Sequence, residues 1–117
     1  MKTGKYEVDI LQEGRMLVDG AATFAGLPRS EWEAFAMPDA KNRIQLGINF
    51  LLIRGDGINM LVDTGSGRKH RSARLKTMGL EDSTTVVSHL ANFGLSPDDI
   101  THIVYTHLHF DHCGGST

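Results

Sequence analysis

The sequence predicts an α+β fold, in which a mixed, mainly antiparallel sheet carries flanking helices. Three stretches carry that prediction. Ile44, Leu46, Ile48, Phe50 and Leu52 form the longest period-two run in the chain, and with Leu51 and Ile53 added it reads as a strand buried on both faces. Asp56-Gly57 is a turn pair, so Ile58 to Val62 returns as the partner of a hairpin. Ile100 to Tyr105 is rich in β-branched and aromatic residues and reads as a further buried strand, with a loop at its C-terminal end, where ligands bind in open sheets containing parallel strands.

The remaining elements follow in chain order. Tyr6, Val8 and Ile10 alternate with Glu7, Asp9 and Leu11 as a half-buried strand; Glu13-Gly14 reads as a turn, and Arg15 to Val18 as a short return strand. Pro28 suits the first turn of a short helix that sets Trp32 and Phe35 on one face. Asp63-Thr64-Gly65-Ser66-Gly67 ends the hairpin, and its glycines lack the G-x-x-x-x-G-K-[ST] spacing of a phosphate loop. The basic run from Gly67 to Leu80 reads as a solvated face rather than a phosphate patch. Asp82-Ser83 can cap a helix running to Phe93, with Val86, Leu90 and Phe93 on one stripe and Gly94 as its stop. Ser96-Pro97-Asp98-Asp99 has the composition of one further helical turn, capped by Ser96.

At 117 residues and 12.8 kDa, the chain is at most one domain. A net charge of −2 gives no reason to expect nucleic acid or an anionic membrane as partner. Met1 to Asp9 is polar and no long apolar run follows, so neither a signal peptide nor a membrane span is expected; with Cys113 as the single cysteine, a cytoplasmic location is the expectation.

The chemistry is concentrated after the last strand, in Thr106-His107-Leu108-His109-Phe110-Asp111-His112-Cys113-Gly114-Gly115. In an extended chain His107, His109 and Asp111 point the same way, and His112 joins them only if the chain bends. A bent loop of this kind gives two imidazoles to one ion and a carboxylate plus an imidazole to a second. That donor set suits Zn²⁺ or Fe²⁺ and admits Mn²⁺ or Co²⁺. At this composition chance supplies such a pattern on the order of once in a thousand chains. His70, His89 and His102 read as surface or structural histidines, and Cys113 as a small buried filler. The Gly114-Gly115-Ser116-Thr117 run reads as a turn into a helix N-cap.

The T-H-x-H-x-D-H-x-G-G motif, with Leu61-Val62-Asp63-Thr64-Gly65 upstream, resembles the metallo-β-lactamase superfamily of metal-dependent hydrolases. Gly20 to Phe24, Pro28 to Trp32 and Asn42 to Ile44 are similar to its acyl-homoserine lactonase and organophosphate hydrolase branch. The resemblance implies an αβ/βα sandwich, of which residues 1–117 supply the N-terminal half. It implies His107, His109, Asp111 and His112 as metal ligands and two zinc ions in the complete domain. Hydrolysis of a small-molecule ester or lactone by a metal-activated hydroxide is implied too, with Asp111 both ligand and orienting group. Asp63 is implied to support the metal loop, against the alternative of an Asx-turn carboxylate capping the next segment. Later ligands of the family pattern lie beyond Thr117, so the chain alone is expected to be an incomplete enzyme. Other readings remain: a non-catalytic metal-binding or dimerising module that pairs as a homodimer, and a mononuclear iron oxygenase on the same fold.

Overall fold

The computed structural model describes residues 1–69, 77–80 and 84–116. A five-stranded sheet in the order β1-β2-β3-β4-β5 organises them: β1 (Lys2–Thr3), β2 (Tyr6–Asp19), β3 (Arg43–Gly55), β4 (Ile58–Val62) and β5 (His102–Val104). The first four pair antiparallel, and β5 lies parallel to β4. The sheet is thus mixed and mainly antiparallel, as the alternation predicts. The β3–β4 turn sits at Asp56-Gly57, where φ is +54° and +73°, and Gly55 pairs with Ile58 beside it. Two consecutive left-handed residues make the two-residue connection whose twist matches the flanking strands.

Short helices cover one face: α1 (Gly20–Thr23), α2 (Arg29–Trp32), α3 (Val86–Ala91) and α4 (Phe110–Cys113). Leu11, Phe50, Leu52 and Leu61 pack there against Val86 and Leu90, and Met16, Ile48 and Leu80 form a second cluster that Phe110 joins. Among the described residues no helix is long and apolar enough to cross a membrane.

Several expectations need correction. Arg15 to Val18 is not a return strand: β2 runs unbroken for 14 residues, and Glu13-Gly14 is a bulge, with Gln12 opposite Asn49 and Gly14 opposite Ile48. Both segments pair with β3, so the chain kinks instead of reversing. Strand β3 is covered on one face, since Phe50 and Leu52 are buried while Leu51 and Ile53 are half-exposed. β5 is likewise not buried: it lies at the sheet edge, with Ile103 45% and Val104 47% exposed, because no described strand flanks its far side. Trp32 and Phe35 both pack against the Phe24 ring, as a shared face requires, but they are not equally covered. Trp32 is fully buried and stacks on Phe24, whereas Phe35 lies past the end of α2 and is exposed.

Asp82-Ser83, His70 and most of the basic run lie outside the described residues. The described helix α3 begins at Val86, and the Thr85 hydroxyl accepts from Ser88 N–H. At Pro97–Asp99 the expected turn is present as one 3₁₀ turn. The Asp99 carboxylate reaches back to the Ser96 N–H and hydroxyl, and those bonds hold it below the usual aspartate range.

Candidate metal centre

The chain enters the site from β5, whose parallel pairing with β4 brings two strand ends side by side. Asp63 directly follows β4, and Tyr105 and Thr106 follow β5. Asp63 is buried with φ +63°, a left-handed conformation that Asp tolerates better than most residues. Its Oδ1 accepts Thr106 N–H at 2.9 Å, and its Oδ2 accepts the Thr106 hydroxyl and His112 Nδ1, both at 2.8 Å. Burial opposes ionisation of Asp63, but the bonds from His112 and Thr106 outweigh it and hold the carboxyl below the usual range. Asp63 therefore orients the histidine loop. The alternative, a cap on the segment that follows, finds no Asp63 bond among the described residues.

The helix of this region starts within the motif, earlier than its glycines suggest. His109 is the N-cap of α4, and Gly114–Ser116 continues it as a 3₁₀ turn. This bend brings His112 back to the other imidazoles. The rings of His107 and His109 are 4.6 Å apart, and those of His107 and His112 are 4.0 Å apart. His107 Nε2 faces His109 Nδ1 at 3.0 Å, and His112 Nε2 faces Asp111 Oδ2 at 3.2 Å. The four candidate ligands thus meet as two pairs, two imidazoles in one and an imidazole with a carboxylate in the other. No group of three or more such residues is arranged to hold a single ion among the described residues.

The donor chemistry fits a cation. With His112 Nδ1–H donating to the Asp63 carboxylate, Nε2 presents a lone pair to the lone pairs of Asp111 Oδ2. Two acceptors at that distance need a proton or a metal ion between them. A tetrahedral ion places paired N and O ligands roughly 3.3 Å from each other, close to both separations seen here. A carboxylate behind a ligating histidine is also the usual support for its ring orientation.

The two glycines of the motif have a role that turn chemistry does not reveal. Thr64 N–H donates to His112 O at 2.7 Å, and Gly115 N–H to Gly65 O at 3.2 Å, so the Asp63 loop and the histidine loop are laced backbone to backbone. A Cβ on Gly115 would stand 2.1 Å from Thr64 O, and one on Gly114 2.3 Å from Ser66 O. Cys113 is half-buried rather than buried, with its thiol 3.5 Å from Leu108 O. His89 is structural, edge-on to Phe50 and 3.0 Å from Gln12 O; His102 is exposed beside Thr101.

A mixed sheet ending in a histidine-rich loop that a buried aspartate orients is the arrangement of a metal-binding fold. Residues 43–117 match the model of the metallo-beta-lactamase superfamily, and the chain belongs to that superfamily. It superposes over its whole length on a probable metal-dependent hydrolase from Staphylococcus aureus with a TM-score of 0.91 and 31% identity, covering 43% of that chain. AidC, a dizinc quorum-quenching lactonase solved with the product N-hexanoyl-L-homoserine, matches 98% of this chain at 29% identity and a TM-score of 0.69, over 37% of its own length. A quorum-quenching N-acyl homoserine lactone lactonase shares the fold at 24% identity and a TM-score of 0.72. The chain therefore spans about two-fifths of the length of these proteins, and it corresponds to the first half of the metallo-β-lactamase fold.

Proposed function

We propose that this chain carries half of the metal centre of a hydrolase that opens ester or lactone bonds in a small molecule. The observation that carries the reading is the pairing of donor atoms, His107 with His109 and Asp111 with His112, with Asp63 behind His112. Zn²⁺ is the first choice for the imidazole and carboxylate donors, and Fe, Mn or Co also suit them. The dizinc lactonase relative supports both the metal and the substrate class.

When bound, a pair of such ions supplies a hydrolytic nucleophile near neutral pH and polarises the scissile carbonyl. The chain's own residues present the donors and exclude wrong orientations. Asp63 fixes the tautomer of His112, and Asp111, on the first turn of α4, accepts the proton of the attacking water as well as contributing its oxygen to the site. The water oxygen bonds to the carbonyl carbon, the acyl–oxygen bond breaks, and the proton taken up by Asp111 passes to the leaving alkoxide, giving a carboxylic acid that ionises in water and an alcohol. Titration of the chain with Zn²⁺ or Co²⁺, with His109→Ala as control, tests the centre. A lactone and ester screen of a longer chain, with metal analysis beside it, tests the reaction and separates it from iron-dependent oxygenation. Unchanged metal uptake in His109→Ala counts against the ligand assignment.

A dimer is the second reading, and the half-exposed outer face of the sheet favours it. Tyr6, Val8, Ile53, Ile58 and Met60 line an apolar groove there. Two copies joined through that face would form a homodimer able to bind metal without turnover.

A further inference from the structure

We infer that Glu13, 50 residues upstream of Asp63 in sequence, is a positioning residue for the metal loop; the inference rests on the metal-centre reading above. Glu13 is 3% exposed, the only acidic residue besides Asp63 that is buried among the described residues. The β2 bulge puts it there. Gln12 and Gly14 take consecutive partners on β3, so Glu13 is the extra residue, and its side chain turns to the covered face. Its Oε2 accepts Ser66 N–H at 2.5 Å and its Oε1 accepts the Ser66 hydroxyl at 3.0 Å. Ser66 is fully buried, so both bonds are shielded from water.

The Asp63 loop is built around this carboxylate. Gly65 has φ +74°, and a Cβ on it would stand 2.1 Å from Glu13 Oε2. Glycine is therefore required twice at that position, by backbone conformation and by the presence of Glu13. From Ser66 the connection is short. Gly65 O receives Gly115 N–H, Thr64 N–H binds His112 O, and Asp63 holds both Thr106 and the His112 ring. A strand bulge on the far side of β3 thus fixes the loop that fixes the histidines. Nothing in the histidine motif itself reveals this, since the link from Glu13 to His112 runs through Ser66 and the Asp63 loop.

The test compares the 117-residue chain with Glu13→Gln, Glu13→Ala and Ser66→Ala, by Co²⁺ titration and by amide hydrogen exchange. Glu13→Ala should weaken Co²⁺ binding by about tenfold or more and change the shape of the visible d–d band, and Glu13→Gln, which keeps one acceptor for Ser66, should restore most of the affinity. Exchange at Thr64 and Thr106 should quicken by about tenfold in Glu13→Ala while the Leu52 amide in the central strand stays as it was. Unaltered exchange at Thr64 and Thr106, or an equal rise at Leu52, overturns the inference. So does unchanged Co²⁺ affinity alongside a loosened loop. A wild-type chain that takes up no Co²⁺ defeats the metal-centre reading instead, and the exchange pattern still decides the role of Glu13. For a Glu13→Ala chain that does not fold, Ser66→Ala decides: it should give a smaller rise at the same two amides, and none overturns the inference.

Discussion

Asp63 concentrates more of the site's order than any ligand does. It is buried, it stands in a left-handed conformation, and it joins β4, the start of the histidine loop and the His112 ring. Asn tolerates that conformation as well as Asp does, so Asp63→Asn leaves the backbone unstrained and removes only the charge and one acceptor. The expected cost is about 1–3 kcal/mol, read as a lower urea midpoint at unchanged slope, with metal affinity about 10- to 100-fold weaker. The histidines make a second prediction. Protons and metal compete for the same ring nitrogens, and three of the four paired donors are imidazoles. Metal affinity should therefore fall as the solution is made more acidic. Affinity that stays flat from roughly pH 7.5 to 5.5, measured by competition with a chromophoric chelator, would place the ligands elsewhere.

Among the elements, the lacing of the two loops predicts that Gly115→Ala is far from conservative. Its Cβ would meet the Thr64 carbonyl at 2.1 Å, a backbone atom that can move only by parting the loops. Overpacking of this sort costs about 1–3 kcal/mol, and metal affinity should fall with it; a variant matching wild type in both would show the loops to be independent. The approach to β3 gives a pH effect. Hydrogen bonds from the Arg43 side chain, then its backbone N–H, outweigh burial and hold the Asp39 carboxyl down at about 2. A lowered pKa means stability that is fully present above the ordinary aspartate value near 4 and is lost as pH falls toward about 2. The difference in urea midpoint between wild type and Asp39→Asn should therefore shrink over that interval. The central strands were legible because their period-two apolar residues mark a pleated segment, and the hairpin because Asp56-Gly57 suits a two-residue turn; how far they are covered was not, since Leu51, Ile53, Ile103 and Val104 are apolar yet partly exposed. The bulge was not legible, since Glu13-Gly14 has the composition of a turn and only pairing of both flanks with β3 makes it a kink. Its one trace is a carboxylate two residues after Leu11, on the inward phase of the strand. The convergence of His107, His109, Asp111 and His112 was legible because their spacing at a strand end brings the side chains together once the chain bends. Glu13 was not, because its partner Ser66 is 53 residues away.

For the whole molecule, the sheet is covered on one side and open on the other. Ile10 is 73% exposed on the open face beside the groove of Tyr6, Val8, Ile53, Ile58 and Met60, and β5 leaves Ile103 and Val104 about half exposed at the edge. Apolar surface of this kind favours association. Sedimentation at increasing concentration should show the 117-residue chain associating, and Ile10→Lys should shift it toward monomer. Because Ile10 is exposed, that change should move stability by no more than about 0.5 kcal/mol. The same openness bears on activity. Each donor pair offers two protein ligands, whereas a catalytic zinc site holds its ion with three. Ions held by two ligands exchange readily, so lactone or ester turnover by this chain with added Zn²⁺ should fall at least about a hundredfold short of a longer chain that includes a second half like that of its relatives. His109→Ala in the longer chain should abolish most of its turnover. Equal metal-dependent rates for the short and long chains would mean that the two pairs, or two copies joined through the open face, already complete the centre.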